Sequence, residues 1–464
     1  MKRIYRKFSI ACWFSLITGI CYAQNPIIQT CFTPDPAPMV YNDTVFLFVD
    51  HDEDDAQYFK MKDWRLYSTT DMVNWTYRGT PISTKTFQWA KQGDNAWASQ
   101  AIERKGKFYW YTCAEDTTVH LHGIGVAVAD SPDGPYVDPL KKPLVPGDWG
   151  YIDPAVFIDD DGQAYLFWGN NGLWYAKLNE DMISLGSDVM PVQGLDSPDA
   201  FGPLVMKHDY QENREKLKSN YEEGPWVCKR NGVYYLVYAA GGVPEHMAYS
   251  ISDNINGPWK YQGRMMDEAE NSFTIHGGNI EYHGRHFMFY HNGILPDGGG
   301  FRRSTCIEEF EWGADGKIPF IPFTKEGVRT PVRNLNPYQR VEAETMAWSA
   351  GLQTDRMDGK HHYVTAIHDK DYLKVRSVDF GKKGAGKFSA CVATNTQGGF
   401  IEIRLDSLDG QLAGTLSVSN TKGWHLWETR QTKIKRIKGI HDVYFIFKGV
   451  EGELFNFDWW KFDK

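Results

Sequence analysis

From Gln24 to about Val332 the chain alternates short apolar or aromatic runs with tight polar turns, and sustained helical periodicity is absent. One layout recurs: a lead residue, a small turn, an apolar strand, a Gly, Asn or Asp turn, and an aromatic strand. It is written as "DPAPMVYNDTVFLF" from Asp35, "WASQAIERKGKFYWY" from Trp97 and "DPAVFIDDDGQAYLF" from Asp153. It returns as "EGPWVCKRNGVYYLVY" from Glu223 and "HGGNIEYHGRHFMFY" from His276. The lead residues are spaced by roughly 55 to 70 positions, close to the unit length of blade-type repeats. Further alternating strands follow the hairpins, as in "WRLYSTTDMVNWTYRG" and "HMAYSISDNINGPWKYQG". Four strands per unit and five units predict an all-β, five-bladed β-propeller.

In a propeller the innermost strand of each blade runs along the central channel, so its first residue sits at one mouth of that channel. Asp35, Trp97, Asp153, Glu223 and His276 are therefore expected to converge on one funnel. The prolines after Asp35 and Asp153, and Pro225 two after Glu223, are expected to hold the chain extended where each strand begins. "TPVRNLNPYQ", from Thr330 to Gln339, reads as a linker. Beyond it, "DYLKVRSVDFG", "GGFIEIRLDS", "GTLSVSN" and "HDVYFIFKG" predict a β-sandwich of jelly-roll type. The expected organisation is residues 1–23 as a leader, 24–332 as the propeller and 338–464 as the sandwich.

The leader reading rests on "MKRIYRKFSIACWFSLITGICYAQ", which has a basic start, an apolar stretch of about a dozen residues and a small-residue ending. It predicts cleavage after Ala23 and export to the periplasm or beyond the cell, with no membrane span. The mature chain would keep Cys31, Cys113, Cys228, Cys306 and Cys391, scattered singly, an odd number that excludes a complete disulfide framework. A net charge of -9 without a basic stripe argues against nucleic acid. Aromatic residues make up 15% of the chain, which suits both pleated sheets and the stacking of sugar rings.

Two carboxyl groups facing each other across a polar funnel are the minimal equipment for glycoside hydrolysis. One must be protonated to cap the leaving oxygen and one ionised to activate water or attack carbon. A third negative charge nearby raises the pKa of the acid. Asp35, Asp153 and Glu223 can fill these three roles, and spacing alone does not assign them. Glu222 is expected on the opposite face of the strand from Glu223.

"DPAPM", "IDPAVFIDDDG", "EGPWVCKRNGVYYLVY" and "FRRSTCIEEF" together resemble glycoside hydrolase family 43, whose members are five-bladed propellers acting on arabinose- and xylose-containing glycans. The resemblance implies an inverting exo-glycosidase with Asp35 as general base, Glu223 as general acid and Asp153 as the residue that tunes the acid. It implies Trp97 beside the sugar, although Trp97-Ala98-Ser99 stands where the family has "WAP". It also implies His276 in the central channel, near a possible calcium ion, and one of Arg302 and Arg303 on the terminal sugar, here Arg303. The favoured activity is an α-L-arabinofuranosidase, with a β-xylosidase or galactofuranosidase next. A retaining furanosidase of related shape and an inactive glycan-binding propeller are the rival readings. The acidic stretch "DHDEDDAQYFKMKDWRLY" would wall one side of an exo-acting pocket or form a solvated loop.

"VEAETM", "GGFIEIRLDSLDG", "GWHLWET" and "FNFDWW" resemble carbohydrate-binding module family 6. That resemblance implies a structural calcium ion held by Glu342, Glu344 and Asp458, oxygen donors suited to a hard cation. It implies a sugar cleft with Trp424 and Asn456. The family's second cleft ring is replaced by Ala366, and Tyr363 is the nearest aromatic substitute. The expected partner is an arabinose- or xylose-containing carbohydrate, bound by a monomer.

Overall fold

The computed structural model describes residues 24–204, 220–359 and 361–464. The expected leader lies outside the described residues. Up to Phe310 the described chain forms five consecutive antiparallel sheets. The first contains Ala37–Tyr41, Thr44–Asp52, Met61–Thr69 and Trp75–Ser83. The second contains Trp97–Arg104, Lys107–Asp116 and Leu121–Ala129. The third begins with Ala155–Ile158, the fourth with Tyr221–Arg230 and the fifth with Asn279–Tyr282. The fold is all-β, with Pro198–Phe201 as a single α-helical turn among the described residues.

The first strands of neighbouring sheets lie side by side: first on second, second on third, third on fourth, and fifth back on first. Thr33 pairs in parallel with Ser304 of the fifth sheet, and the Ile27 amide donates to Thr305 O at 2.8 Å. The N-terminal segment thus closes against the last sheet. Four strands per unit hold for the first, third and fourth sheets, but the second and fifth have three. In "SPDGPYVDPL" the prolines remove ladder donors, so the anticipated closing strand shrinks to one bridge, Val128 with Val137.

The apolar faces of these sheets bury large side chains, among them Trp64, Trp75, Trp110, Trp168, Tyr111 and Tyr290. The five described cysteines are unpaired, and four of them are buried. Among the described residues, no helix is long and apolar enough to cross a membrane.

The C-terminal part is a sandwich of two sheets around Phe388, Phe445, Phe457, Trp460 and Phe462. Phe388 and Phe445 meet across the two layers with ring centroids 5.3 Å apart. The four strands anticipated from the sequence, Tyr372–Asp379, Gly399–Leu405, Leu412–Val418 and Ile440–Gly449, all belong to one layer. The facing layer includes the long, mostly exposed strand Gly423–Ile437.

The two parts are joined by more than their linker. Thr345–Met346 adds to the outer edge of the first sheet, pairing Thr345 with Thr76 and Met346 with Trp75. Arg376, 7% exposed, donates to Val328 O at 3.0 Å and to Arg329 O at 2.7 Å, and also reaches Gln24 Oε1. Asn74 accepts from the Arg376 amide at 2.8 Å and returns a bond to Arg376 O at 3.0 Å.

Candidate active site

A cavity of about 1060 Å³ opens where the first strands begin, and Asp35, Trp97, Asp153, Glu223, His276 and Arg303 all line it. Six candidates scattered over the sequence therefore share one hollow. Its volume is at the upper end of the range of about 300–1,000 Å³ usual for small-molecule pockets, enough for more than one sugar ring.

The backbone at the acids is not extended, contrary to the expectation from the prolines. Asp35 has φ 52° and Asp153 φ 57°, both left-handed, and Gly224 follows Glu223 with φ 62°. Left-handed backbone at a non-glycine residue is costly and tends to be kept where a side chain must be aimed. Here it turns each carboxyl off the strand axis into the cavity. Gly224 leaves no space for a side chain, because a Cβ there would sit 3.1 Å from the His276 ring. Its amide donates to Asp153 Oδ2 at 3.0 Å, tying the lead of the third sheet to that of the fourth.

Asp35 is 7% exposed and faces three nitrogen-bearing side chains. Arg303 Nη2 lies 3.4 Å from Oδ2, His291 Nδ1 3.2 Å from Oδ1 and His276 Nδ1 3.6 Å from Oδ1. Burial acts to raise the pKa of Asp35, but the Arg303 charge and the contact with His291 outweigh it and hold this carboxyl far below the usual range. Arg303 is itself clamped: its Nε and Nη2 donate to Asp52 at 3.0 and 3.1 Å, its amide to Asp52 at 2.8 Å, and Nη1 to Thr274 Oγ1 at 3.1 Å. Arg302 instead bonds Ala56 O at 2.8 Å and Asp297 O, away from the cavity. His276 is pushed down to about 4 by burial, so it is neutral at working pH.

Glu223 has the opposite environment. Burial raises its pKa, the Asp35 charge adds to the rise, and a 2.5 Å bond from Asn170 Nδ2 opposes it. Asp153 is raised well above the ordinary value by burial and by the charges of Glu223 and Asp35. The surroundings therefore favour the ionised form at Asp35 and shift Glu223 and Asp153 in the opposite direction.

Strand alternation would turn Glu222 away from Glu223, but the structure corrects this. Tyr221 pairs with Ala240 and Glu223 with Ala239, so a bulge at Glu222 breaks the alternation and both glutamates line the cavity. A similar bulge at Ala98, between the pairs Trp97–Cys113 and Ser99–Thr112, stands just before Ser99, the position of the proline in "WAP". Trp97 stacks obliquely on His122 with centroids 4.6 Å apart and donates Nε1 to Phe59 O at 2.9 Å.

The acidic stretch after the first hairpin splits. Asp50 and Asp52 are fully buried strand residues, Asp54 and Asp55 are solvated, and Phe59 walls the cavity. Phe59 packs edge-on against Phe273 at 5.8 Å and Phe301 at 5.0 Å. Sequence reasoning missed Asp52, Asn170, Glu245, Thr274 and His291 as parts of the site.

In the C-terminal sandwich two of the three expected metal donors, Glu342 and Asp458, face a cation of the chain itself, Arg340. The Arg340 guanidinium bonds Glu342 at 2.7 and 2.8 Å and Asp458 at 3.3 Å. Glu344 is 4% exposed and its Oε2 has no hydrogen-bond partner. A buried, orphaned carboxylate oxygen beside two more carboxylates fits a calcium ion, with Arg340 standing in for part of its charge. His51, Glu53 and Asp63 do converge, but Lys62 at 2.6 Å from Glu53 and Arg65 at 3.1 Å from His51 already supply positive charge.

At the expected sugar cleft Trp424 is half-buried, and Asn456 is committed: its Nδ2 donates to Trp424 O at 2.9 Å and its Oδ1 accepts from Thr365 at 2.8 Å. Tyr363 does not replace the missing ring. It is buried, bonds Asp355 and His425, and packs on Trp427.

Comparison with known proteins matches residues 23–318 to "Glycosyl hydrolases family 43" and residues 342–464 to "Carbohydrate binding module (family 6)". An arabinoxylan arabinofuranohydrolase of Bacillus subtilis (strain 168) is 33% identical over 95% of this chain and 92% of its own length. A beta-xylosidase of Xylanibacter ruminicola is 28% identical over 64% of this chain and 98% of its own. The crystal structure of a family 43 arabinoxylan arabinofuranohydrolase from Bacillus subtilis, in complex with cellotetraose, superposes with a TM-score of 0.79. The two are 30% identical, and the match covers 95% of this chain and 97% of the other.

Proposed function

Since the chain belongs to glycoside hydrolase family 43, a β-propeller family, and ends in a family 6 carbohydrate-binding module, we propose that it is an exported α-L-arabinofuranosidase that removes arabinofuranosyl branches from arabinoxylan. It is a glycoside hydrolase of the arabinofuranosidase and xylosidase type. The arabinoxylan assignment draws on the named activity of relatives that match almost the full chain. We read the five sheets as the blades of one closed ring, with the N-terminal segment sealing first to last.

The observation that carries the reading is that Asp35 and Glu223 line one cavity in opposite surroundings, Asp35 beside the Arg303 guanidinium and Glu223 buried with a neutral amide, Asn170, as its donor. Asp35, ionised beside Arg303, takes a proton from water as the water oxygen attacks the anomeric carbon. The glycosidic C–O bond breaks, and Glu223 passes its proton to the departing oxygen. The products are arabinose of inverted configuration and the shortened glycan. Asp153 holds the Gly224 amide and so orients Glu223 from behind. Arg303 and Trp97 would contact the sugar in the pocket. Glu342, Glu344 and Asp458 are the residues that would hold a calcium ion, whose contribution would be structural.

Hydrolysis of p-nitrophenyl α-L-arabinofuranoside, p-nitrophenyl β-xyloside and arabinoxylan tests the assignment. Arabinose release from the polymer at a higher kcat/KM than xylose release from the xyloside supports it. Absence of turnover on any of the three would favour a binding protein. Proton NMR of the first-formed sugar distinguishes inversion from retention.

A further inference from the structure

Behind the proposed acid sits a carboxyl for which the reaction above has no use. Glu245 is 2% exposed at the end of the Val233–Ala240 hairpin, one residue before the strand His246–Ser252, and it lines the same cavity as Glu223. It is fixed at both ends of its residue. Its amide donates to Phe273 O at 3.0 Å, and its Oε2 accepts the Ile275 amide at 2.9 Å. Glu223 and Glu245 line the same cavity with their carboxyls near enough to influence each other, and a hydrogen bond between two carboxyls requires a proton on one of them.

The groups facing Glu245 are almost all acidic. Glu222 and Glu223 come from the strand Tyr221–Arg230 and Asp153 from the lead of the third sheet. His246 is its chain neighbour and is turned to Asn220 at 3.4 Å. Arg303 bears on Glu223 rather than on Glu245. Burial first, then the charges of Glu223 and Glu222, lift the Glu245 carboxyl well above its ordinary value, against the pull of the Ile275 amide.

We propose that Glu245 is a positioning residue for the general acid: as a neutral carboxyl it donates to Glu223 and stabilises the carboxylate that forms there when the leaving group takes its proton. It counters the neighbouring negative charges without adding one of its own. The donated bond makes Glu223 a stronger acid and fixes its rotamer over the cavity. This inference rests on Glu223 acting as general acid.

The test is the alkaline limb of kcat/KM, which reports the ionisation of the acid in the free enzyme. Glu245→Met removes the donor, and the limb is expected to move up by about one pH unit. Glu245→Gln keeps both a donor toward Glu223 and an acceptor for Ile275, and is expected to leave the limb in place. A downward shift in either variant would mean that Glu245 carries a charge in the active enzyme, and would overturn the proposal. An unmoved limb in Glu245→Met would do the same. If Glu245→Met does not fold, Glu245→Gln decides alone, an unmoved limb supporting and a lowered one overturning. Glu223→Gln serves as the control. If that variant loses no more on poor leaving groups than on aryl ones, the failure lies in the assignment of the acid and not in Glu245.

Discussion

Replacing Arg303 by Met isolates the interaction that keeps Asp35 ionised. The guanidinium Nη2 stands 3.4 Å from Asp35 Oδ2, and both side chains are almost fully buried. At an effective dielectric of about 20, opposite charges at that distance attract by about 5 kcal/mol. At about 1.4 kcal/mol per pKa unit, its loss should raise the Asp35 pKa by roughly 3 units. The wild-type carboxyl lies so low that it sets no acidic limb in the accessible range. In Arg303→Met, a limb in kcat/KM on p-nitrophenyl α-L-arabinofuranoside should appear at about pH 4 or above. Stability gives a second reading with a defined sign. Because the folded pKa of Asp35 is depressed, its contribution is present above the unfolded value and is lost as pH falls toward the folded one. The variant leaves Asp35 and Asp52 buried without their cation, which should cost about 3–5 kcal/mol near neutrality. Protonation relieves that cost, so the gap in Tm between wild type and variant should narrow between pH 7 and pH 4. Arg303→Lys, with charge but no fork, should fall between the two. An acidic limb unchanged from wild type, in a folded Arg303→Met, would refute the reasoning.

Glu223→Gln should lose about 10²–10⁴-fold on arabinoxylan and far less on an aryl arabinofuranoside, whose leaving group needs little protonation, while Asp35→Asn should lose both; parallel initial-rate assays check this. Arg376→Ala strips the carbonyls of Val328 and Arg329, and Gln24, of their donor at the contact between the two parts. It should cost about 2–4 kcal/mol and lower Tm by several degrees in calorimetry, with kcat on the aryl substrate unchanged. Calcium at about one hundred times its dissociation constant should stabilise the chain by about 2.7 kcal/mol relative to chelator-treated protein, read as a rise in Tm. Equal melting curves with calcium and with chelator would remove the ion from the description of the C-terminal module.

The phase of the repeat was legible because each acid starts a strand whose apolar alternation is visible on either side. That was enough to bring Asp35, Asp153 and Glu223 to one cavity. It was not enough to say how they are aimed. The left-handed backbone at Asp35 and Asp153 runs against what a following proline favours, and it is imposed by the packing around the cavity rather than by local preference. The bulge at Glu222 is likewise a property of pairing with Ala239 and Ala240, invisible in a single strand. Asp50, Asp52 and Glu245 were missed for a common reason. Nothing in "VDHDEDD" or "GVPEHM" marks a buried acid, since burial is decided by strands far away in sequence. In the sandwich, Arg340, four residues before Glu344, was not recognised as a cation that pairs with Glu342 and Asp458.

The short strand Thr345–Met346 bears on how the molecule handles a polymer. Because it is stitched into the catalytic part by main-chain bonds, the appended module cannot swing on a tether to gather distant chains. Any polysaccharide it grips is presented at one set angle and reach, like a jig holding stock against a fixed blade. Cutting the module away would also bare the sheet edge at Trp75 and Thr76, open to pairing with another strand. Truncated catalytic fragments should therefore be more prone to self-associate than the tandem chain.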